Sequence, residues 1–310
     1  MKHILITGGA GYVGSVFVEY LLKEGFYVTV IDNLMYSNGH TMINFFKNPS
    51  FTFVKGDIRD KSLMSSLVKE KDFIVHLAAI VGFPACEKNQ ELAISTNLEA
   101  TRTMSGLLSK EQIVIYASTG SNYGSVSEIC TEETPLNPLS LYGKTKSEAE
   151  KLLLDNNSTI AYRFATAFGL SPRMRLDLLI NDFVYEAVVN QYLIMFEKHF
   201  KRTFIHVDDM ARSFLFAIKN HGKMVGEVYN IGDEKNNFNK EEIALIIKEK
   251  VKYYLHFAGI GEDIDKRNYE VSYRKIKQMG YEAEVSVKDG IDQLIRAIPA
   301  LEHQDFFRNV

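Results

Sequence analysis

Residues 6–15 read ITGGAGYVGS, and no other stretch limits so sharply what the chain can fold into. They close the apolar run KHILITGG (2–9), which reads as a buried strand. They also open GSVFVEYLLKEG (14–25), whose apolar residues recur at helical spacing up to a C-capping Gly25. A strand that turns through glycines straight into a helix calls for a second strand on the far side of that helix. FYVTVID (26–32) supplies it, β-branched and apolar. FTFVKGD (51–57), DFIVHLAA (72–79), QIVIYAST (112–119) and TIAYRFA (159–165) repeat the pattern, with helical segments between them. The expectation is an α/β fold with a parallel sheet over residues 1–165.

From about residue 166 the rhythm changes. SPRMRLDLLINDFVYEAVVNQ (171–191) predicts a longer helix entered through a basic loop. KRTFIHVDD (201–209) and EVYNIGD (227–233) read as short strands, and 239–251 and 285–298 as helices. The expected organisation is a smaller C-terminal α/β region over 166–310, with 201–233 returning to the first domain. Six prolines and no low-complexity stretch leave no obvious linker.

A formal net charge of −3 gives no basic field for nucleic acid or a membrane surface. No apolar run approaches the ~18 residues of a membrane span. MKHILITGGAG lacks the apolar core and cleavage site of a secretion signal, so a cytoplasmic protein is expected. Two unrelated cysteines, Cys86 and Cys130, fit a reducing compartment. The eight histidines show no metal-ligand spacing, so no metal site is expected.

Gly8, Gly11 and Gly14 stand three apart, and Gly9, Gly11 and Gly14 also satisfy GxGxxG. A side chain there would hold the backbone away from a pyrophosphate, and the helix N-terminus behind favours the anion. Asp32 follows Gly14 by 18 residues at the end of the second strand. Its carboxylate suits the hydroxyls of an adenosine ribose and repels a 2′-phosphate, which favours NAD over NADP. Asp57 ends the third strand, where it could hold an adenine amino group or simply cap a loop. HLAA (76–79) ends the fourth strand with small residues that leave room for a nucleotide.

Tyr142 and Lys146, in SLYGKTKSEAE (140–150), are one helical turn apart and project together. Alone, such a pair is common on any helix. Beside a nicotinamide it has a use, because a nearby ammonium favours the phenolate of a group whose ordinary pKa is near 10. The phenolate can then take a hydroxyl proton. A third donor is needed at the reacting oxygen, and STGSNYG (118–124) offers Ser118, Thr119 and Ser121.

Together TGGAGYVG, HLAA, STGSNYG, YGKTK and FIHVDD resemble the extended short-chain dehydrogenase/reductase family of nucleotide-sugar epimerases, dehydratases and dehydrogenases. The resemblance runs from residue 7 to about 290. It implies a Rossmann-type doubly wound sheet with a smaller substrate-binding domain, and a catalytic set of Thr119, Tyr142 and Lys146. It also implies NAD held by Gly8, Gly11, Tyr12, Val13, Gly14, Asp32, Asn33, Asp57, Ile58, Leu77, Ala78, Ala79 and Asn97, with Tyr142 and Lys146. A homodimer through 91–108 and the Tyr142 helix is implied as well.

The family's 4,6-dehydratases carry Asp-Glu directly after the catalytic Thr; here those positions are Gly120 and Ser121. Fucose-synthase-like enzymes need a Cys/His pair near the Ser/Thr, and that stretch has no cysteine. What the resemblance leaves is oxidation–reduction at one carbinol of a nucleotide-linked sugar, by a 4-dehydrogenase or a 4-epimerase. The stretch RMRLDLLINDF, with Thr166 where many epimerases have Asn, is similar to GDP-heptose 4-dehydrogenases of bacterial capsule pathways. Thr119, Thr166, Arg175, Asn181, Arg202 and Arg267 are the implied substrate contacts, with a GDP-sugar favoured. Either Arg202 or Arg267 alone could equally be a solvated surface arginine. His206 reads as structural. A non-catalytic nucleotide sensor on the same fold is the reading from another class.

Overall fold

In the computed structural model, residues 2–259, 268–301 and 308–309 are described. Strands follow in chain order as β1 (His3–Thr7), β2 (Tyr27–Asp32), β3 (Phe51–Lys55), β4 (Phe73–His76), β5 (Ile113–Thr119), β6 (Ser125–Cys130), β7 (Ser158–Phe164), β8 (Thr166–Phe168), β9 (Tyr192–Met195), β10 (Lys201–His206), β11 (Val228–Ile231), β12 (Asn237–Asn239), β13 (Tyr254–Phe257) and β14 (Asn268–Val271). Seven of them form one parallel sheet in the order β11-β7-β5-β4-β1-β2-β3.

Because side chains alternate across a strand, each apolar run feeds two cores. Ile4 and Ile6 of β1 join Phe17 and Phe214 on one face of the sheet. Leu5, between them, joins Met104 and Leu153 on the other. This is why the strands read as continuous apolar runs rather than alternating ones. The chain moves outward from β1 in both directions, so β1 and β4 flank the point where the strand order reverses. In such sheets ligands bind outside the carboxyl ends of the strands at that point.

The second lobe gathers around Phe168, Leu176, Ile180, Phe204, Ile243 and Ile291. Small sheets β8-β10-β12 and β9-β13 edge it, while β6-β14 packs on the first core through Cys130, Tyr269 and Val271. Of residues 201–233, β10 lies in a small sheet, whereas β11 is the outermost strand of the large one. Helix Val207–Met224 packs on helix Tyr12–Lys23, with the Phe17 and Phe214 rings 5.3 Å apart. The sequence reading gave no helix here and took His206 as structural. The buried His206 caps this helix, its Nδ1 accepting from the Asp208 N–H at 3.3 Å.

Two helical expectations change shape. The stretch 171–191 is helical only over Leu179–Tyr185, continued by a wider π-type turn to Asn190. Residues 171–178 stay out of the helix, in bends and a turn, because the Arg175–Asp177 ion pair and the Asn181 amide, which donates to the Arg175 carbonyl at 2.9 Å, satisfy them locally. The 91–108 segment divides into Gln90–Ile94, a π-type turn at Ser95–Glu99, and Ala100–Ser105. Among the described residues no helix is long and apolar enough to cross a membrane.

Candidate active site

A cavity of about 930 Å³ opens at the carboxyl ends of the large sheet and runs into the second lobe. That is near the upper end of the volumes single small ligands occupy, which suits two ligands lying end to end.

Gly8, Gly11, Tyr12, Val13 and Gly14 line it. Two of the glycines are required by packing rather than by the ligand. Gly8 has φ of +71°, and a Cβ there would come within 2.7 Å of the Ala78 backbone. A Cβ on Gly14 would meet the Gly9 Cα at 2.5 Å, so the turn and the helix touch backbone to backbone. At Gly11 a Cβ would have only the Gly8 carbonyl near it, at 3.1 Å, and this is the glycine that leaves space at the cavity. Helix Tyr12–Lys23 begins here with no side chain capping it and no acidic residue in its first turn. Its free N–H groups and dipole are therefore left for an anion. The Tyr12 hydroxyl is committed elsewhere, donating to the Gly169 carbonyl at 2.7 Å.

Asp32 and Asn33 line the cavity at the end of β2. The Asp32 carboxylate accepts from Ala10 N–H at 3.1 Å and Leu34 N–H at 2.9 Å. Burial raises its pKa, and these hydrogen bonds oppose the rise. The residue thus both ties the glycine turn to β2 and presents charge to the cavity. An Asp32→Ala protein should lose at least tenfold of any preference for NAD over NADP, because the 2′-phosphate no longer meets a carboxylate. Paired titrations with the two dinucleotides measure this, and an unchanged ratio removes Asp32 from the ribose site.

Asp57 and Ile58 lie next to it. Arg59 grips Asp57 with a two-pronged contact at 2.8 and 2.9 Å, and Asn33 donates to it at 3.2 Å. The guanidinium holds this carboxyl down at about 2. Leu77, Ala78 and Ala79 form the floor. Thr7 and Thr101 bracket the buried His76 at 2.7 and 2.9 Å, and burial drives its pKa to about 3, so the ring stays neutral.

Asn97 does not line the cavity. Its side chain accepts from the Ile80 N–H at 2.8 Å and donates to the Ile80 carbonyl at 3.0 Å. It fixes the loop after the floor from behind.

Thr119, at the end of β5, and Tyr142 and Lys146 all line the cavity, together with Ser118 and Ser121. Ser140 caps helix Leu141–Asn156, its hydroxyl accepting from Gly143 N–H at 3.1 Å, so Tyr142 sits in the first turn and Lys146 one turn on. The Thr119 hydroxyl is 3.1 Å from that of Ser121. Lys146 is only 4% exposed, and its Nζ lies 4.1 Å above the centre of the Tyr116 ring. Burial lowers its pKa to about 7, against the pull of Glu150 one turn further along the helix. Sequence reasoning missed Tyr116, which reads only as an aromatic residue in a strand.

The folded protein binds fewer protons at Lys146 than the unfolded chain between about 7 and the ordinary lysine value. Its contribution to stability therefore grows as pH rises through that window and is lost as pH falls through about 7. Thermal melts of wild type and Lys146→Met should diverge accordingly. The wild type's relative stability should climb above neutral pH, and parallel curves would contradict this titration.

On the second-lobe side Thr166, Arg175 and Arg202 line the cavity. Asp177 binds Arg175 at 2.5 Å and keeps it charged despite burial. Arg202 is 2% exposed, donates to the Lys201 carbonyl at 2.9 Å and lies against the Phe200 ring. Asn181 corrects the expectation. It is fully buried and does not line the cavity, because its amide is spent on Gly169 N–H and the Arg175 carbonyl, both at 2.9 Å. It staples the loop that carries Arg175. Arg267 lies outside the described residues. Tyr36, Arg173 and Lys240 also line the cavity and were not foreseen.

Several known proteins are similar to this chain over nearly its whole length. The low-salt glycan biosynthesis protein Agl12 of Haloferax volcanii is 31% identical over 305 residues, covering 94% of this chain and 97% of its own. A putative UDP-glucose 4-epimerase of Methanocaldococcus jannaschii is 29% identical over 311 residues, with 94% and 97% coverage. The crystal structure of UDP-glucuronic acid 4-epimerase from Bacillus cereus, in complex with UDP-glucuronic acid and NAD, superposes with a TM-score of 0.88 at 25% identity, covering 97% of this chain and all of that one. Residues 4–232 match the NAD dependent epimerase/dehydratase family, and the chain belongs to that family.

Proposed function

We propose that the protein is an NAD-dependent oxidoreductase acting at C4 of a nucleotide-linked sugar, of the GDP-heptose or GDP-hexose 4-dehydrogenase type. One observation carries the reading. Thr119, Tyr142 and Lys146 line the same cavity as the glycine turn, while the two positions after Thr119 are Gly120 and Ser121, which offer no carboxyl group for eliminating water.

The cavity fits NAD. Gly11 leaves the space, the uncapped helix N-terminus meets the diphosphate, and Asp32 suits the adenosine ribose. When bound, NAD supplies the hydride acceptor. Tyr142 takes the proton from the sugar hydroxyl, and Thr119 donates a hydrogen bond to the same oxygen. The Lys146 ammonium, buried over a ring face and opposed by no carboxylate at contact distance among the described residues, favours the phenolate. The cations Arg175 and Arg202 suit the phosphates of the nucleotide.

A second reading is a UDP-hexose-type 4-epimerase that retains its NAD. The likeness to the UDP-glucuronic acid 4-epimerase favours it, as does a cavity roomy enough for a sugar to turn over. In either case we infer a homodimer through 90–105 and Leu141–Asn156, where Ile94 is left exposed. Incubation with GDP-, UDP-, dTDP- and CDP-sugars tests the reading, followed by nicotinamide absorbance, mass spectrometry and NMR. A ketosugar two hydrogens lighter supports the dehydrogenase. An inverted C4 with no net cofactor change supports the epimerase. NAD binding without turnover on any sugar overturns both.

A further inference from the structure

The stretch 171–175 carries two buried arginines with opposite surroundings. Arg175 is neutralised by Asp177. Arg173 is 2% exposed and also lines the cavity, yet among the described residues no carboxylate pairs with it. Its guanidinium lies 4.7 Å from the centre of the Tyr36 ring and donates to the Asn309 side-chain carbonyl at 2.6 Å. Neither neighbour carries a carboxylate, and Asp32 and Asp177 act on the charge only from beyond contact distance. A buried cation is expensive unless an anion meets it, so the site implies one.

The backbone of this arginine is fastened to the cofactor side of the cavity. Ser171 donates to the Tyr12 carbonyl at 2.7 Å and sits 3.1 Å from the Ser15 hydroxyl. The Arg173 N–H in turn donates to Ser171 Oγ at 3.3 Å. The second lobe is thus pinned to the first turn of helix Tyr12–Lys23, where a diphosphate would meet free N–H groups. From there the side chain reaches Tyr36, in the loop that follows Asp32. Arg173 thus joins the first turn of helix Tyr12–Lys23, through its backbone, to the loop after Asp32, through its side chain, whereas Arg202 belongs to β10 in the second lobe.

We propose that Arg173 is a further cofactor-binding residue, a guanidinium delivered by the second lobe that clamps the diphosphate of the dinucleotide beside the glycine turn. Tyr36 and Asn309 orient the fork. The idea rests on the family's use of NAD and is independent of which sugar is the substrate. It also gives the second lobe a reason to be in place before the cofactor is held fully.

The test is calorimetric titration of the full chain, freed of nucleotide, with four probes: ADP-ribose, adenosine, UDP and GDP. Loss of a charge-assisted, forked contact should weaken ADP-ribose roughly ten- to a hundredfold in Arg173→Met. Adenosine, which lacks phosphate, should bind as before, and so should UDP and GDP. Arg173→Lys keeps the charge without the fork and should recover part of the loss. If UDP or GDP weakens while ADP-ribose does not, the arginine serves the substrate's diphosphate and the proposal falls. If all four weaken together, or the melting temperature of both variants drops, the residue is structural and the proposal also falls. Unchanged ADP-ribose affinity in both variants overturns it outright. None of these readouts depends on turnover, so failure of the sugar assignment would not be mistaken for failure here.

Discussion

A Tyr142→Phe protein should retain NAD and fall by at least ~10²-fold in turnover, the loss typical of a removed general base. The substitution deletes one oxygen. The ring keeps its packing near Ile80, Ala85 and Cys86, so the fold and the cofactor site should be undisturbed. Thr119 and Lys146 remain, but neither can replace a phenolate. The hydroxyl of Thr119 is a donor with a high pKa, and Lys146 lies beneath the surface against Tyr116. Single-turnover measurement of the nicotinamide absorbance separates the chemical step from product release. Turnover within a few-fold of wild type would remove Tyr142 from the proton path and with it the proposed chemistry.

Glu150→Ala should be the most damaging substitution outside the cavity. Glu150 and Arg163 are both buried, and the guanidinium approaches the carboxylate at 2.6 and 3.1 Å. Arg163 also donates to Tyr123 Oη at 3.1 Å and to the Glu132 carbonyl at 3.0 Å, and Tyr123 donates to Asn230 at 2.7 Å. This network fastens helix Leu141–Asn156 to β7, β11 and the turn after β5. Removing one member of a buried pair strands the other charge, at a cost of about 3–5 kcal/mol. Denaturant unfolding should show that loss. A second effect should accompany it, since Glu150 supports the charged form of Lys146. Without it the lysine titrates still lower, and activity at neutral pH should drop further than stability alone explains. A stability change below about 1 kcal/mol would mean that the pair is hydrated and ordinary.

Much of this site is legible from short-range spacing. The glycine turn, Asp32 at the end of the next strand, and Tyr142 one turn before Lys146 all follow from strand and helix periods, which are local properties of a chain. The strands of the large sheet are legible for the same reason. β6 and β14 are not, because their pairing joins residues far apart in sequence whose polar, short runs carry no strong period. Helix Val207–Met224 was overlooked because its N-terminus follows a strand without a break, and the buried His206 that caps it looks like any strand histidine.

Residues 171–181 mark where local reasoning stops. Two arginines and an asparagine in one stretch all resemble ligands for a phosphate or a sugar. Their differing fates depend on neighbours from elsewhere: Asp177 quenches Arg175, Gly169 and the Arg175 carbonyl consume Asn181, and Tyr36 and Asn309 leave the charge of Arg173 unspent. Lys146 shows the same division. Its spacing from Tyr142 is written in the chain, but its titration near neutrality comes from burial over Tyr116. The amino-acid sequence alone determined which elements form and which side chains are offered to the cavity, since both follow from periods of two and about 3.6 residues. The tertiary structure decided which of those side chains keep a free charge, because desolvation and pairing are properties of the folded surroundings and not of spacing along the chain.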